Sequence, residues 1–368
     1  TGWNGDISVQ QGELVAQVAN SLGSGAITVT DGVLTLATAD VQPGMGMINL
    51  QGGSLNLASG SFATAFTADN MTWTGGSMTL GEEVAATVAK ALANGKAVEL
   101  ADGSVLTVSG ANDNSALNLN ASGSGTVSVG LGTSYGANVL NVSTEFQGIL
   151  SVTSGYFQLN NVTMGADGIL KLADSNVRTE WNGTAGGTFA NDVVFTGNQV
   201  FATKDFTFSG DLSGTAFSTQ GAGNITLAGG VNLDGQLKVH RGTVTVNSAD
   251  VAKLGDSIDI QNNSTLAFAR DFSYGGVISG TAGSTVSVNA GTLELTGANT
   301  FLGALSIAGG ATARLGDGSS WAGSLSGAGS LVIDTAGEIT LAAGNTGFTG
   351  STTLSGTGTV TLAGADSL

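Results

Sequence analysis

The sequence predicts an all-β protein, a right-handed parallel β-helix (solenoid) with a few short helical insertions. Three observations predict it. The composition is glycine-rich yet hydrophobic, short alternating strands run from end to end, and segments recur at fixed offsets.

Composition comes first. Among 368 residues there are 60 Gly, one Pro (Pro43) and no Cys, with 10% charged and 41% hydrophobic residues. Gly-rich, Ser/Thr/Asn-rich chains are often disordered, but disorder goes with low hydrophobicity. Here β-branched runs such as Ile27-Thr28-Val29-Thr30 and Val244-Thr245-Val246 recur along the whole chain and can bury a core. The glycines punctuate strands. An ordinary chain of this length would divide into two or three globular domains.

The strands alternate apolar and polar residues, as in Ser54-Leu55-Asn56-Leu57, Ile149-Leu150-Ser151-Val152 and Ile169-Leu170-Lys171-Leu172, separated by Gly, Asn, Asp and Ser. One face is therefore buried and the other polar. A sandwich or barrel can use such strands too, but the recurring period favours a solenoid.

The clearest repeat lies in the last third. Gly283-Ser284-Thr285-Val286-Ser287-Val288 aligns with Gly329-Ser330-Leu331-Val332-Ile333-Asp334, and at the same 46-residue offset Leu293, Leu295, Asn299 and Thr300 fall on Ile339, Leu341, Asn345 and Thr346. A shorter element reads Phe208-Ser209-Gly210-Asp211-Leu212-Ser213-Gly214, Tyr274-Gly275-Gly276-Val277-Ile278-Ser279-Gly280 and Trp321-Ala322-Gly323-Ser324-Leu325-Ser326-Gly327. Near the start, Gly12-Glu13, Val15-Ala16 and Leu22 match Gly81-Glu82, Val84-Ala85 and Leu92. Residues 82–93 read as a helix, with Val84, Val88 and Leu92 on one face and Asn94-Gly95 to end it; a shorter relative runs from Ser248 through Val251 and Leu254 to Gly255. Coils of roughly 20–25 residues, half of the 46-residue unit, give about 15 or more coils and a rod on the order of 75 Å long.

The expected organisation is one continuous solenoid. Residues 1–190 carry helical decorations at about 12–24 and 81–95, and 191–368 form the regular part, with units of about 274–320 and 321–368. The first residues, Thr1-Gly2-Trp3, show neither Met nor a signal-peptide pattern, which suggests a processed or excised segment.

Lys and Arg total 10 against 27 Asp and Glu, a formal net charge of −17. Such a chain is repelled by nucleic acid and by anionic membranes. No stretch approaches the ~20 apolar residues of a membrane helix, so no membrane insertion of this segment is expected. The absence of Cys excludes disulfides, thiolate metal sites and cysteine nucleophiles.

The C-terminal units resemble the autotransporter-associated β-strand repeat, also called the passenger-associated transport repeat. The resemblance is carried by Ser264-Thr265-Leu266-Ala267-Phe268, the element from Tyr274 to Gly280, and Gly291-Thr292-Leu293-Glu294-Leu295-Thr296-Gly297-Ala298-Asn299-Thr300-Phe301. It covers about residues 262–368 and is fainter from 190 to 260; the duplicated helix near the start departs from it. The resemblance implies a right-handed parallel β-helix displayed outside an outer membrane by a C-terminal barrel, extracellular and either held at the bacterial surface or released.

Residues able to carry chemistry are few. His240, the only histidine, follows Gln236-Leu237-Lys238-Val239 and precedes Arg241, and it reads as a solvent-facing strand residue or a small basic spot suited to an anionic glycan. No Gly-x-Ser-x-Gly elbow stands in a strand-to-helix context. Asp sits in turns, at Asp31-Gly32, Asn112-Asp113-Asn114, Asp167-Gly168 and Asp234-Gly235, where it tolerates left-handed backbone and bonds its own turn. Calcium-binding nonapeptides and EF-hand loops do not occur, which leaves incidental calcium at 112–114. Gly221-Ala222-Gly223-Asn224 lacks the Lys and helix of a phosphate loop. Phe195, Phe201, Phe206 and Phe208 are expected inside the coils. Outward Thr pairs (Thr243, Thr245; Thr359, Thr361) suggest an ice-binding face but look too short and too irregularly spaced to form one.

No catalytic, cofactor-binding or metal-binding residue is assigned, no cofactor is expected, and the ligand-binding residues are unknown. The expected function is that of a non-enzymatic stalk or adhesin, with partners either a copy of itself or a host surface, matrix or glycan ligand. The alternatives are a carbohydrate-active β-helix enzyme, which needs clustered carboxylates in a groove, and a pure scaffold.

Overall fold

The computed structural model describes residues 3–42, 44–134, 138–341 and 344–365. Pro43, the first two residues and the last three of the 321–368 repeat lie outside them. The chain is all-β, 50% strand and 4% helix, and forms a parallel β-solenoid of about 17 turns. It comprises two compact units, Thr1–Val177 and Arg178–Leu368.

In the first unit the coils stack in parallel register. Ile7 pairs with Ile27, Ile27 with Ile48 and Ile48 with Met71; on the next face Leu14, Leu34, Leu55, Met78 and Val98 form one column. A third face holds Ser61–Phe66, Ala85–Ala89, Val105–Ser109, Thr126–Gly130, Ile149–Ser154 and Ile169–Leu172. Before that face begins, Ala39–Val41 is a 3-10 turn, and Gln42 substitutes for ladder bonds there. Its Nε2 donates to Thr64 O (2.6 Å) and its Oε1 accepts from Thr64 N (3.2 Å).

In the second unit one face stacks Arg178–Trp181, Asn198–Ala202, Phe217–Gln220, Gln236–Val239, Ser257–Ile260 and Val277–Gly280. A second face has nine strands, from Gly187–Phe189 to Gly347–Phe348. The third carries Asp192–Phe195 through Val251–Leu254 and, separately paired, Phe272–Tyr274 through Ser351–Ser355. The inward columns are mostly aliphatic or aromatic, with Thr179, Thr219 and Asn198 as buried polar members. Leu237, Ile258 and Ile278 are fully buried in one. Phe195 stacks on Phe217 and Trp181 on Phe206, each with centroids 4.9 Å apart. Phe201 is the exception among the expected core aromatics: it pairs with Glu180 and Gln220 on the outer side and is half-buried.

The helical decorations are corrected. Residues 85–89 form the strand Ala85–Ala89, wedged between Ser61–Phe66 and Val105–Ser109, and only Lys90–Ala93 is helical. The i, i+4 spacing of Val84, Val88 and Leu92 is shared by periods of 2 and 3.6, and Val84, Ala86 and Val88 point inward as a strand requires. Within 12–24, Glu13–Ala16 is a strand paired to Val33–Leu36. At 248–255, Ser248 Oγ does accept the Asp250 N–H (3.0 Å), but the chain continues as the strand Val251–Leu254. An isolated short helix is marginal, whereas a strand beside two open edges gains a ladder on each side.

The coil length agrees with expectation, with about 17 turns, and what differs is the match between coil and repeat. Hydrogen bonds between neighbouring coils step by 19 to 25 residues, so a 46-residue repeat is longer than two typical coils of the second unit. Val286 lies on the nine-stranded face while Val332 lies on the next, and Leu293 and Ile339 are likewise one face apart. The earlier duplication behaves alike: Val33–Leu36 and Val105–Ser109 occupy successive faces. Sequence repeats here advance by whole coils plus one face.

Candidate binding surfaces

Asp113 bonds within its own turn, accepting the Ser115 N–H (3.2 Å), as Asp174 accepts the Asn176 N–H (2.7 Å), while other aspartates act across coils. Asp192 accepts Asp211 N–H (2.8 Å), Asp211 accepts Gly230 N–H (2.7 Å), Asp205 accepts Asn224 N–H (2.8 Å) and Asp271 accepts Thr292 N–H (2.7 Å). Each carboxylate thus satisfies a corner amide one coil on, a charge-assisted bond of the stronger kind. Gly221-Ala222-Gly223-Asn224 is such a corner. At 112–114 the carboxylate is engaged by a lysine. Lys90, 5% exposed, donates through Nζ to Asp113 Oδ1 (2.6 Å) and Ser115 O (2.9 Å), and this bond holds the Asp113 carboxyl below the usual carboxylate range.

His240 is half-buried at the end of Gln236–Val239, with Nε2 2.9 Å from Asn262 Nδ2. Lys238 beside it faces Asp259 at 3.7 Å, so the basic spot is partly neutralised. Among the described residues no group of three or more His, Cys, Asp or Glu could hold a metal ion.

Three surfaces of the second unit stand out. The first is the nine-stranded face, whose strands contain no ionisable residue. Thr188, Thr207, Thr226 and Thr245 pair successively at the 19-residue step, and the column continues through Ala267, Ser287, Ser306 and Ser326. A second column runs Thr243, Thr265, Thr285, Ala304. The hydroxyls of Thr188, Thr207, Thr226 and Thr245 bond to no described residue. Here the structure corrects the sequence reading: Thr rows that look short along one strand are long columns across strands. The other two faces carry charges at comparable positions, including Arg314, which contacts both Glu294 and Asp334.

The second surface is a notch of about 440 Å³ where Val251–Leu254 and Phe272–Tyr274 lie in successive coils without pairing. Ala252 is an extra residue in the register, which turns the first strand away. Lys253 is tied to Asp256 (2.8 Å) and Asp234 (3.2 Å), so its ammonium is already neutralised and its pKa is raised by those two carboxylates. Tyr274 Oη donates to Gly255 O (3.3 Å), and burial pushes its pKa upward.

The third is a cleft of about 710 Å³ between the strands Val277–Gly280 and Glu338–Leu341. On the intervening coils, the segments around Asn299–Leu302 and Ser320–Trp321 form no regular strand. Phe301 and Trp321 (centroids 5.4 Å apart) fill the core instead, and the wall is indented above them. Buried amides replace the missing ladder: Asn299 Oδ1 accepts Ile278 N–H (2.8 Å) and Asn345 Oδ1 accepts Leu325 N–H (2.6 Å). The recurring Asn of the repeat motif therefore has a structural task. Sequence reasoning missed this cleft, since strand pattern says nothing about where a wall is indented.

No family model, no curated protein and no solved structure matches the chain. The class defined by the geometry is a parallel β-solenoid with one uncharged, hydroxyl-bearing face and one indented face.

Proposed function

We propose that this chain is a stalk segment of a bacterial surface protein of the autotransporter passenger type, extracellular and non-enzymatic, that makes adhesive contact by pairing with a copy of itself. The observation that carries the reading is the nine-stranded face without an ionisable residue on a chain of net charge −17. Two like-charged molecules approach with least repulsion where neither presents charge. The Thr and Ser columns there offer repeated donors and acceptors at the strand spacing of ~4.8 Å, and small side chains leave the face flat enough for many weak bonds. The repeat resemblance over 262–368 and the solenoid fold support the passenger assignment. The expected anchor is a barrel C-terminal to this segment.

The test is sedimentation of the purified chain over a concentration series, beside Thr207→Asp/Thr226→Asp. The wild type should associate with rising concentration. The double variant should stay monomeric and folded but with a lowered Tm, since Thr207 and Thr226 are half-buried and directly paired, and like charges opposite each other in a sheet are destabilising. A monomeric wild type, or equal association by the variant, overturns the reading. In cells displaying the segment, the same substitutions should abolish clumping.

A further inference from the structure

On one wall of the second unit the sheet is interrupted. The strand Val251–Leu254 ends one run of paired strands and Phe272–Tyr274 begins the next, although the two follow one another in successive coils. The same coils pair without a break on the other walls, Ser257–Ile260 with Val277–Gly280 and Thr265–Phe268 with Thr285–Val288. Two strand edges therefore face each other across the notch, and the alternation of a parallel ladder tells which groups they show. Val231 N–H donates to Asp250 O and Gly255 N–H to Leu233 O, each at 2.9 Å, which turns the Val251 N–H and C=O towards the notch. Thr296 N–H donates to Tyr274 O (3.1 Å), which turns the Ser273 N–H and C=O the same way. Val251 is half-buried and Ser273 exposed, so both edges are reached from solvent.

An unpaired strand edge is a template for another strand. What completes it is a peptide backbone, whose donors and acceptors recur at the spacing of the ladder. The side chains around the notch narrow the chemistry of that peptide. Phe272 and Val251, both half-buried, border it with apolar surface. Asp234 and Asp256, with side chains 70% exposed, share Lys253 as their cation, which leaves a net negative charge. Asp250 and Asp271 immediately precede the two strands and add to it.

We propose that the notch binds an extended peptide of another protein, paired through its backbone to the Ser273 edge and carrying Lys or Arg beside apolar residues. The peptide supplies an acceptor for the Ser273 N–H and a donor for its C=O. An apolar side chain covers Phe272, and a basic one reaches Asp234 and Asp256. Side chains alternate in direction along a strand, so the matching sequence alternates apolar and basic residues. The site goes beyond the self-association reading and lies off the uncharged face, so the two fail independently.

The probe is a fluorescein-labelled heptapeptide alternating Val and Lys, titrated with the full chain and read by anisotropy, with hydrogen exchange followed by mass spectrometry. Binding should saturate, and exchange should slow over residues 272–276. A peptide with Glu in place of Lys, and one N-methylated at every amide, should not bind. Ser273→Pro removes the edge N–H at a position where an edge strand tolerates proline, and it should weaken the Val–Lys peptide about tenfold. Asp234→Asn/Asp256→Asn leaves Lys253 unopposed; it should weaken that peptide about fivefold and admit the Glu peptide. Both carboxylates are exposed, so this variant keeps the test open should Ser273→Pro fail to fold. No saturable binding at the highest soluble peptide concentration, or equal binding of the N-methylated peptide, overturns the proposal. Protection confined to other segments overturns it equally. Protection of 272–276 that grows with protein concentration and needs no peptide assigns the edge to a second copy, which also overturns it. Thr207→Asp/Thr226→Asp, which reads the other surface, should bind the peptide as the wild type does.

Discussion

At the scale of single residues, the structure depends on a few buried polar groups doing work that ladders do elsewhere. Asn299 is 2% exposed, and its amide oxygen is the acceptor given for the fully buried Ile278 N–H. Asn299→Ala should therefore destabilise the chain by about 1–3 kcal/mol in denaturant unfolding, because it strands a buried donor. Lys90 and Asp113 make an asymmetric pair, with side chains 6% and 54% exposed. Lys90→Met keeps the buried stem and leaves a carboxylate that water can solvate, whereas Asp113→Ala strands a buried ammonium. The Tm loss should be larger for Asp113→Ala. Since Asp113 titrates below its ordinary value through its bond to Lys90, its contribution is present above the normal aspartate range and is lost as pH falls through the lowered value. Wild-type stability should drop on that acid side more steeply than that of Asp113→Ala, as thermal melts at stepped pH would record.

At the scale of elements, the corners decide what the strands may do. A Cβ on Gly46 would meet Gly25 O of the neighbouring coil at 1.9 Å, so Gly46→Ala forces two coils apart. Gly309 has open space around it and no left-handed backbone. Calorimetry should show Gly46→Ala losing at least 1–3 kcal/mol, in the manner of an overpacked core, and Gly309→Ala neutral or up to ~1 kcal/mol more stable. Strand existence was legible from alternation alone, as at Ser54–Leu57 and Ile169–Leu172. The segment 82–93 was not, because its apolar spacing fits both periods and only the flanking edges at Ser61–Phe66 and Val105–Ser109 choose between them. Repeat alignment likewise located the motifs and the approximate coil length but not the face, since Val286 and Val332 are equivalent in sequence and one face apart in space.

At the scale of the whole molecule, net charge sets how copies meet. With −17 charges, approach is opposed at low ionic strength. Raising salt shortens the Debye length from ~30 Å at 0.01 M to ~8 Å at 0.15 M. Self-association through the uncharged face should therefore strengthen over that range. Salt-weakened association would instead indicate pairing of opposite charges elsewhere on the surface.

The sequence by itself determined the fold class, the inward and outward residues of most strands, and the scarcity of histidine and cysteine, because these follow from period-two alternation and composition. It also located the motif Asn299-Thr300-Phe301 without disclosing its task. Tertiary structure alone decided which coil lies on which. The Thr188–Thr207–Thr226–Thr245 column, the aspartate bonds to corner amides of the next coil, and the indentation over Trp321 all come from that stacking. The physical reason is that stacking joins residues about 20 positions apart through backbone ladders that any sequence can form, so the alignment is set by corner geometry and core fit, which no local pattern encodes.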